Sequence, residues 1–332
     1  MTSKFRASYY LLGALLSRCG KAEVGLPGGC NLGARPIDQH IKGFEALGAS
    51  TVIAQGKIST QAKKLVGTSI YMDTVSVGAT INVMLAAVLA EGTTTIDNAA
   101  KEPHVVDVAN FLNTMGADIH GAGTDMIKIT GVKKLSGNAS YSIVPDQIEA
   151  GTFMLAAIAS QGDIVIHNCI PKHLECLTAK ILEIGGNVEE GDDSLHVWCD
   201  TRPTKTSIKT LPYPGFPTDL QQPITALLTQ ANGKSMIEET IYENRFKNTI
   251  ELNKMGADTK ILSDHKLEIN GPVKLKGTDV VATDLRGGAS LLIAALIADG
   301  ISHIDNSEYI LRGYGDLINK LKNVGAKIEI TE

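Results

Sequence analysis

The feature that most constrains this chain is a glycine pattern that recurs about every 70 residues. In each copy an apolar helical stretch ends in glycine, a second ends in Gly-Ala or Gly-Gly, and alternating strand-like residues follow. The first glycines are Gly20, Gly92, Gly162, Gly233 and Gly300, and the second are Gly48, Gly116, Gly185, Gly256 and Gly325. A fixed period of this length indicates repeated supersecondary units.

The copy at residues 73–135 shows the predicted order of elements. Apolar and amphipathic spacing predicts, in turn, a helix, a strand, a helix and two strands, at 76–90, 93–96, 105–115, 117–120 and 126–129. With its preceding strand the unit is βαβαββ, an α/β (α+β) pattern in which right-handed crossovers place helices on one face of a sheet. We expect three such units to pack their helices into a shared core, in two domains at residues 1–143 and 144–332.

Composition excludes several classes of function. The net charge of −5 and the aromatic content of 5% give no support for nucleic-acid binding. No apolar stretch has membrane-spanning length. The five cysteines show no CxxC pairing, which favours a reducing cytoplasm. No dinucleotide fingerprint, Walker loop or zinc spacing is present, so we expect no cofactor and no metal.

One loop suggests chemistry. It reads Pro27-Gly28-Gly29-Cys30-Asn31-Leu32-Gly33, and Arg35 and Pro36 follow at once. Arg35 could lower the thiol pKa of Cys30 and hold a phosphate, while Pro36 suits the first turn of a helix over about 37–47. The alternative is an ordinary surface turn that contains a cysteine.

Asp219 lies in Phe216-Pro217-Thr218-Asp219, where a helix is predicted to begin. A carboxylate there could accept a proton from a substrate hydroxyl. The alternative is that Thr218 or Asp219 only caps the helix.

Arginines recur near predicted helix starts or glycine-rich turns in successive copies. They are Arg6, Arg35, Arg245, Arg286 and Arg312. Helix N-termini also attract anions. Together these positions predict a substrate with several negative charges, such as a phosphate ester.

Taken in order, these motifs resemble the UDP-N-acetylglucosamine enolpyruvyl transferase family along essentially the whole chain. The matching stretches are Leu26-Pro27-Gly28-Gly29-Cys30, Arg35-Pro36-Ile37-Asp38-Gln39-His40, Lys42-Gly43-Phe44-Glu45, Phe216-Pro217-Thr218-Asp219, Glu243-Asn244-Arg245-Phe246, Asp284-Leu285-Arg286 and Arg312-Gly313-Tyr314. The resemblance implies an inside-out α/β barrel of six repeated units in two domains. It also implies transfer of the enolpyruvyl group of phosphoenolpyruvate to the sugar 3′-hydroxyl, with release of phosphate.

The resemblance also implies roles for individual residues. Asp219 would take the hydroxyl proton. Cys30 would protonate the enol carbon, form an adduct with phosphoenolpyruvate and react with fosfomycin. The positions implied to bind the two substrates are Arg6, Arg35, Pro36, Ile37, Asp38, Gln39, Val75, Ser76, Val77, Ile241, Arg245, Arg286 and Arg312.

The sequence departs from the family pattern at its start. The family's first unit carries a Lys-Asn pair that contacts phosphoenolpyruvate, and nothing before Arg6 supplies it. We therefore expect a first unit to be missing and phosphate release by the 332-residue chain to be negligible. Two alternatives stay open: an active transferase whose recorded start is misplaced, and a non-catalytic UDP-sugar-binding fragment.

The family's cellular context follows from the same resemblance. It implies a cytoplasmic transferase of peptidoglycan biosynthesis, with consequences for cell wall biogenesis, cell shape, cell division and the cell cycle. The partners would be UDP-N-acetylglucosamine and phosphoenolpyruvate, with no nucleic acid and no membrane.

Overall fold

The structure, a computed structural model, describes residues 6–26 and 37–331. The chain forms two compact units, Met1–Val144 and Pro145–Glu332. Buried apolar side chains build a core within each unit. None of the described helices is long and apolar enough to span a membrane.

The first unit begins with a short 3-10 helix, Arg6–Tyr9. Its α-helices are α1 (Tyr10–Cys19), α2 (Asp38–Ala46), α3 (Val77–Ala87) and α4 (Pro103–Thr114). Its strands are β1 (Lys21–Gly25), β2 (Ser50–Ala54), β3 (Lys57–Gln61), β4 (Ser69–Tyr71), β5 (Thr93–Asp97), β6 (Asp118–His120) and β7 (Met126–Thr130). They form two sheets, with orders β1-β3-β2 and β4-β5-β7-β6.

The second unit has seven α-helices among its described residues: α5 (Gln147–Ala159), α6 (Glu175–Glu183), α7 (Gln221–Leu228), α8 (Asn248–Lys254), α9 (Leu285–Ile297), α10 (Glu308–Leu311) and α11 (Leu317–Asn323). Short 3-10 helices cover Pro171–Leu174 and Thr218–Leu220. The strands are β8 (Asp163–His167), β9 (Asn187–Glu190), β10 (Ser194–Trp198), β11 (Ser207–Lys209), β12 (Gly233–Glu238), β13 (Asp258–Ser263), β14 (Lys266–Gly271), β15 (Asp279–Val281) and β16 (His303–Asp305). The sheets have orders β8-β10-β9, β11-β12-β14-β13 and β15-β16.

Two repeats show the predicted βαβαββ order in full. In β4–β7 and in β11–β14 the first two strands are parallel and the last two are antiparallel. A parallel pair needs a crossover, which α3 and α7 supply. The predicted α/β fold class is confirmed at this level.

The glycine period has a conformational cause. The second glycine of each copy has a positive φ, between 92° and 93° in the first three copies and 99° and 94° in the last two. Four of the first glycines also have positive φ; in the third copy Gln161, beside Gly162, takes the left-handed conformation instead. Glycine adopts this region without a Cβ clash, so it ends a helix and turns the chain toward a strand.

The first helices of the repeats form the centre of the second unit. Helices α5, α7 and α9 pack against one another, and every residue of α7 is buried. In the first unit α3 is largely buried and packs against α1 and α2. In both units, helices of the repeats therefore lie in the core.

Candidate active site

The candidate site lies in the second unit, around the carboxylate of Asp219. This residue belongs to the 3-10 turn Thr218–Leu220 that leads into α7, between the buried Phe216 and Leu220. Its Oδ1 accepts a hydrogen bond from Nη2 of Arg245 at 2.7 Å. Its Oδ2 accepts from Nε and Nη2 of Arg286 at 3.3 and 3.2 Å. The capping alternative is therefore wrong: neither the 3-10 turn nor α7 has a side-chain cap, and the carboxylate binds arginines.

The two arginines reach Asp219 from different repeats. Arg245 lies between β12 and α8, and its side chain is 2% exposed. Arg286 is the second residue of α9, where the Asp284 carboxylate accepts from its backbone N–H and fixes the start of the helix. The Asp219 side chain is 40% exposed. A buried cation and a partly buried one thus face a carboxylate that solvent can still reach.

The charges determine the protonation state of Asp219. Burial alone raises the pKa of this carboxyl, but the nearby Arg245 and Arg286 charges and their hydrogen bonds outweigh it and lower the pKa to about 2. Asp219 is therefore ionised at neutral pH. It can accept a proton, but its basicity stays low while both arginines are bound to it.

A second layer of polar residues supports the arginines, and the sequence predicted no role in the site for any of them. Glu239 accepts from the hydroxyls of Thr210 and Thr218 at 2.9 and 2.8 Å. Tyr314 accepts from Nη1 of Arg286 at 3.0 Å. The available signal was that Thr210 and Glu239 directly follow the parallel strands β11 and β12, whose carboxyl ends meet at one sheet edge.

The structure brings another predicted group together in the first unit. In α2 the Gln39 amide donates to Asp38 at 3.0 Å and to Asp73 at 3.3 Å, and Lys42 binds Asp73 at 2.7 Å. Hydrogen bonds from Lys42 and Gln39 lower the pKa of Asp73. Asp73 leads into the 75–77 stretch, where Ser76 caps α3 by accepting from the Ala79 N–H.

The remaining predicted residues are placed as follows. Arg312 is exposed and lies over the ring of Tyr309, 5.2 Å from its centroid. The Ile241 side chain is exposed, and the backbone N–H of Ile241 donates to Oε1 of Glu239 at 2.8 Å. Arg6 begins the first 3-10 helix. Cys30, Arg35 and Pro36 lie outside the described residues.

A comparison with protein families identifies this arrangement. Residues 1–321 match the model of EPSP synthase (3-phosphoshikimate 1-carboxyvinyltransferase). The chain belongs to this family.

Individual members of the EPSP synthase family show more closely what the chain is similar to. It is 58% identical over 326 residues to UDP-N-acetylglucosamine 1-carboxyvinyltransferase 2 of Clostridium acetobutylicum, covering 98% of this chain and 78% of the relative. The corresponding protein of Bacillus subtilis is 56% identical over 326 residues, with 98% and 76% covered. The resemblance predicted from the motifs is confirmed.

Solved structures of the family agree with the fold. The enolpyruvyl transferase NikO from Streptomyces tendae matches with a TM-score of 0.88 and 29% identity, covering 98% of this chain and 78% of that one. EPSP synthase from Acinetobacter baumannii matches with a TM-score of 0.71 and 20% identity, covering 98% and 79%. The second match supports the fold alone.

Three of the four described thiols of this family member, those of Cys169, Cys176 and Cys199, are poor nucleophiles. Among the described cysteines, Cys169 and Cys199 are buried and burial raises the pKa of each thiol. Burial also raises the pKa of Cys176 to about 11. Such thiols stay protonated at neutral pH and react slowly. In the part of the chain that the structure describes, no group of His, Cys, Asp and Glu residues is placed to hold a metal ion.

Proposed function

We propose that this chain transfers the enolpyruvyl group of phosphoenolpyruvate to the 3′-hydroxyl of UDP-N-acetylglucosamine and releases phosphate. The observation that carries the proposal is the Asp219 carboxylate held between Arg245 and Arg286 at the entry to α7. It joins the base that the sugar hydroxyl needs to the cations that an anionic co-substrate needs. The names of the relatives support the same acceptor and the same transferred group.

The reaction proceeds by addition and then elimination. Asp219 accepts the hydroxyl proton while the sugar oxygen bonds to C2 of phosphoenolpyruvate, and Cys30 delivers a proton to C3. The C2–O bond to phosphate then breaks, the Cys30 thiolate takes a proton back from C3, and the leaving phosphate takes the proton that Asp219 holds, so that enolpyruvyl-UDP-N-acetylglucosamine and hydrogen phosphate remain. Fixed guanidinium groups stabilise the charge that develops on the phosphate side.

The low pKa of Asp219 fits this sequence of events. Arg245 and Arg286 both donate hydrogen bonds to Asp219, and these bonds keep the basicity of the carboxylate low. The Nε of Arg245 is buried and has no hydrogen-bond partner among the described residues. An anionic ligand that accepts hydrogen bonds from these guanidinium groups weakens their hold on Asp219. The pKa of the carboxyl then rises, and the base becomes effective once substrate is bound.

The predicted sugar-nucleotide contacts complete the proposal. They are Arg6, Arg35, Pro36, Ile37, Asp38, Gln39, Val75, Ser76, Val77, Asp219 and Ile241, with Arg35 and Arg312 also serving the anionic ligands. Among these residues, Asp38 and Gln39 have a defined geometry, because Gln39 forms hydrogen bonds with Asp38 and Asp73. The proposal also includes two domains, at residues 1–143 and 144–332.

The cellular role follows from the reaction. Enolpyruvyl transfer to UDP-N-acetylglucosamine is a cytoplasmic step of peptidoglycan biosynthesis, and therefore of cell wall biogenesis, cell shape and division. Fosfomycin is the expected inhibitor, by alkylation of Cys30. The raised thiol pKa values of Cys169, Cys176 and Cys199 disfavour these three as the reactive cysteine, and the exposed Cys19 is tested against Cys30 by substitution.

The test is phosphate release from phosphoenolpyruvate by the purified chain, with and without UDP-N-acetylglucosamine. Release that requires both compounds supports the proposal and would contradict the expectation that release by this chain is negligible. Saturable binding of UDP-N-acetylglucosamine without phosphate release would instead favour the non-catalytic alternative. Shikimate 3-phosphate serves as the control acceptor, and release with it alone would contradict the proposed acceptor.

The cysteine assignment has its own test. Mass spectrometry after fosfomycin treatment should show one adduct, and Cys30→Ala should abolish it. Cys19→Ala is the matched control, because Cys19 is an exposed free thiol. An adduct that persists in Cys30→Ala would place the reactive thiol elsewhere.

A further inference from the structure

We propose that Glu239 and Thr218 form a positioning pair that fixes Arg245 and, through it, the Asp219 carboxylate. Neither residue belongs to the set predicted from the sequence. The pair would set the geometry of the site without touching the reacting atoms. This inference rests on the proposed function, and its test includes a measurement that does not depend on turnover.

Glu239 is a fully buried acid with four hydrogen-bond donors around it. Oε1 accepts from the Thr210 hydroxyl at 2.9 Å and from the N–H groups of Ile241 and Tyr242 at 2.8 and 3.2 Å. Oε2 accepts from the Thr218 hydroxyl at 2.8 Å. A buried carboxylate is costly unless it is hydrogen-bonded in this way. Such a group therefore imposes positions on all the donors that surround it.

The direction of the hydrogen bonds through Thr218 is fixed. The Arg245 Nη1 donates to the Thr218 hydroxyl oxygen at 2.5 Å, because a guanidinium can only donate. The single hydroxyl hydrogen of Thr218 must then go to Glu239, which accepts it. The same guanidinium binds Asp219 through Nη2 at 2.7 Å. Two consecutive residues therefore hold the Arg245 fork, and Glu239 orients one of them.

The same acid also places the aromatic side of Arg245. Its Oε1 fixes the turn at 241–242 through both backbone N–H groups. The Tyr242 ring lies 5.1 Å from the guanidinium carbon of Arg245, within cation–π distance. One buried carboxylate thus controls both the polar and the aromatic contacts of this arginine.

Two substitutions separate the link to Arg245 from the turn. Glu239→Gln can keep its amide oxygen at the Oε1 position, where three donors point, and then presents its NH₂ to Thr218. The Thr218 hydroxyl would face two donors and its own hydrogen would lose its acceptor. Thr218→Val removes the hydroxyl at nearly constant volume, and Thr218→Ser keeps it.

The turnover-independent measurement is NMR of the arginine side chains in the full chain. The two Nη groups of Arg245, assigned by their loss in Arg245→Lys, should give separate signals in the unsubstituted protein because rotation of the guanidinium is hindered. We expect averaged signals in Thr218→Val and Glu239→Gln, and separate ones in Thr218→Ser. Unchanged Arg245 signals in both Thr218→Val and Glu239→Gln would overturn the inference.

The kinetic measurement is phosphate release with both substrates. We expect kcat to fall about 10- to 100-fold in Thr218→Val and in Glu239→Gln, since misplacing a fixed group costs this order. The KM for UDP-N-acetylglucosamine should stay within about threefold, and Thr218→Ser should recover most of kcat. The double variant should lose no more than the worse single variant, because both changes break one link.

The matched control is Thr249→Val. Thr249 is also buried and follows the Arg245 segment, but its hydroxyl donates to the Phe246 carbonyl. It should leave kcat and the Arg245 signals unchanged. Losses that multiply in the double variant would refute the shared link. If the unsubstituted chain releases no phosphate, the proposed function fails, while the NMR comparison still decides the positioning inference.

Discussion

Two polar networks, one in each unit, are built for different purposes. In the first unit the Asn82 side chain, fully buried on α3, accepts from the Gly13 N–H at 2.9 Å and donates to the Tyr9 carbonyl at 3.0 Å. Its amide nitrogen also lies 2.9 Å from Nδ1 of His40. In the second unit the Asp219 network is ionic and its carboxylate is 40% exposed. The first network is uncharged at its centre and closed to solvent; the second is charged and open.

The packing around the first network shows what it is for. A Cβ on Gly13 would lie 2.2 Å from the Asn82 backbone carbonyl oxygen, so only glycine fits where α1 packs against α3. His40 comes from α2, and its ring lies 3.1 Å from the Cβ position of Gly78. The Asn82 amide therefore joins three helices by satisfying groups that the core would otherwise bury without partners.

The difference teaches how a buried polar group can be interpreted. A neutral amide whose donors and acceptors are used inside the core contributes to stability and to helix position. A carboxylate that lies between a buried and a partly buried cation and keeps an exposed side retains room for a ligand. We therefore expect substitutions in the first network to lower stability and substitutions in the second to lower activity.

The largest effect is expected for Asp219→Asn. It keeps the shape of the side chain and removes the base, so kcat should fall about 10²- to 10⁴-fold. The measurement is phosphate release with both substrates at saturation. Asp299→Asn is the control, because Asp299 forms an exposed ion pair with Lys274 and should keep full activity. A kcat for Asp219→Asn within threefold of the unsubstituted chain would remove Asp219 from the chemistry.

A smaller effect, of the opposite kind, is expected for Asn82→Leu. The free energy of unfolding should fall by about 1–3 kcal/mol, because the Gly13 N–H and the Tyr9 carbonyl lose their partner inside the core. The kcat of the protein that remains folded should stay within about twofold. Urea denaturation and initial rates measure the two quantities. A strong loss of kcat without loss of stability would show that the first network also serves the site.

The control for this substitution is Asn319→Leu. Asn319 is exposed and its amide donates only to Asp316 among the described residues, at 2.7 Å. A change of more than about 0.5 kcal/mol there would mean that the assay does not isolate the buried amide.

The sequence predicted what depends on local chemistry. Glycines such as Gly48 and Gly116 end helices because the left-handed region suits a residue without Cβ, and that signal is readable at each copy by itself. The residues of the ionic network were also found, since Asp219, Arg245 and Arg286 lie in distinctive local motifs. The roles of all three remain proposals.

The sequence did not predict contacts between residues that are distant along the chain and meet only in the folded protein. Glu239 follows a strand and carries no motif; its importance comes from meeting Thr210 at the adjacent strand end and Thr218 at the start of α7. Asn82 sits in an apolar helix, and its partners lie 69 and 73 residues away. The helix-cap alternative failed for the same reason. The local sequence cannot show that two distant arginines donate hydrogen bonds to the Asp219 carboxylate.

The smallest expected effect is a pH dependence that distinguishes the ionic network. In the folded protein the pKa of Asp219 is about 2, well below the usual value of an aspartate carboxyl. A lowered folded pKa gives stability that is fully present above the unfolded pKa and is lost as pH falls toward the folded one. The difference in free energy of unfolding between the unsubstituted chain and Asp219→Asn should therefore be constant above about pH 5 and shrink toward pH 3. Urea denaturation at several pH values measures it. A difference that grows on acidification would mean that Asp219 is not held ionised by Arg245 and Arg286, and the contrast between the two networks would lose its electrostatic basis.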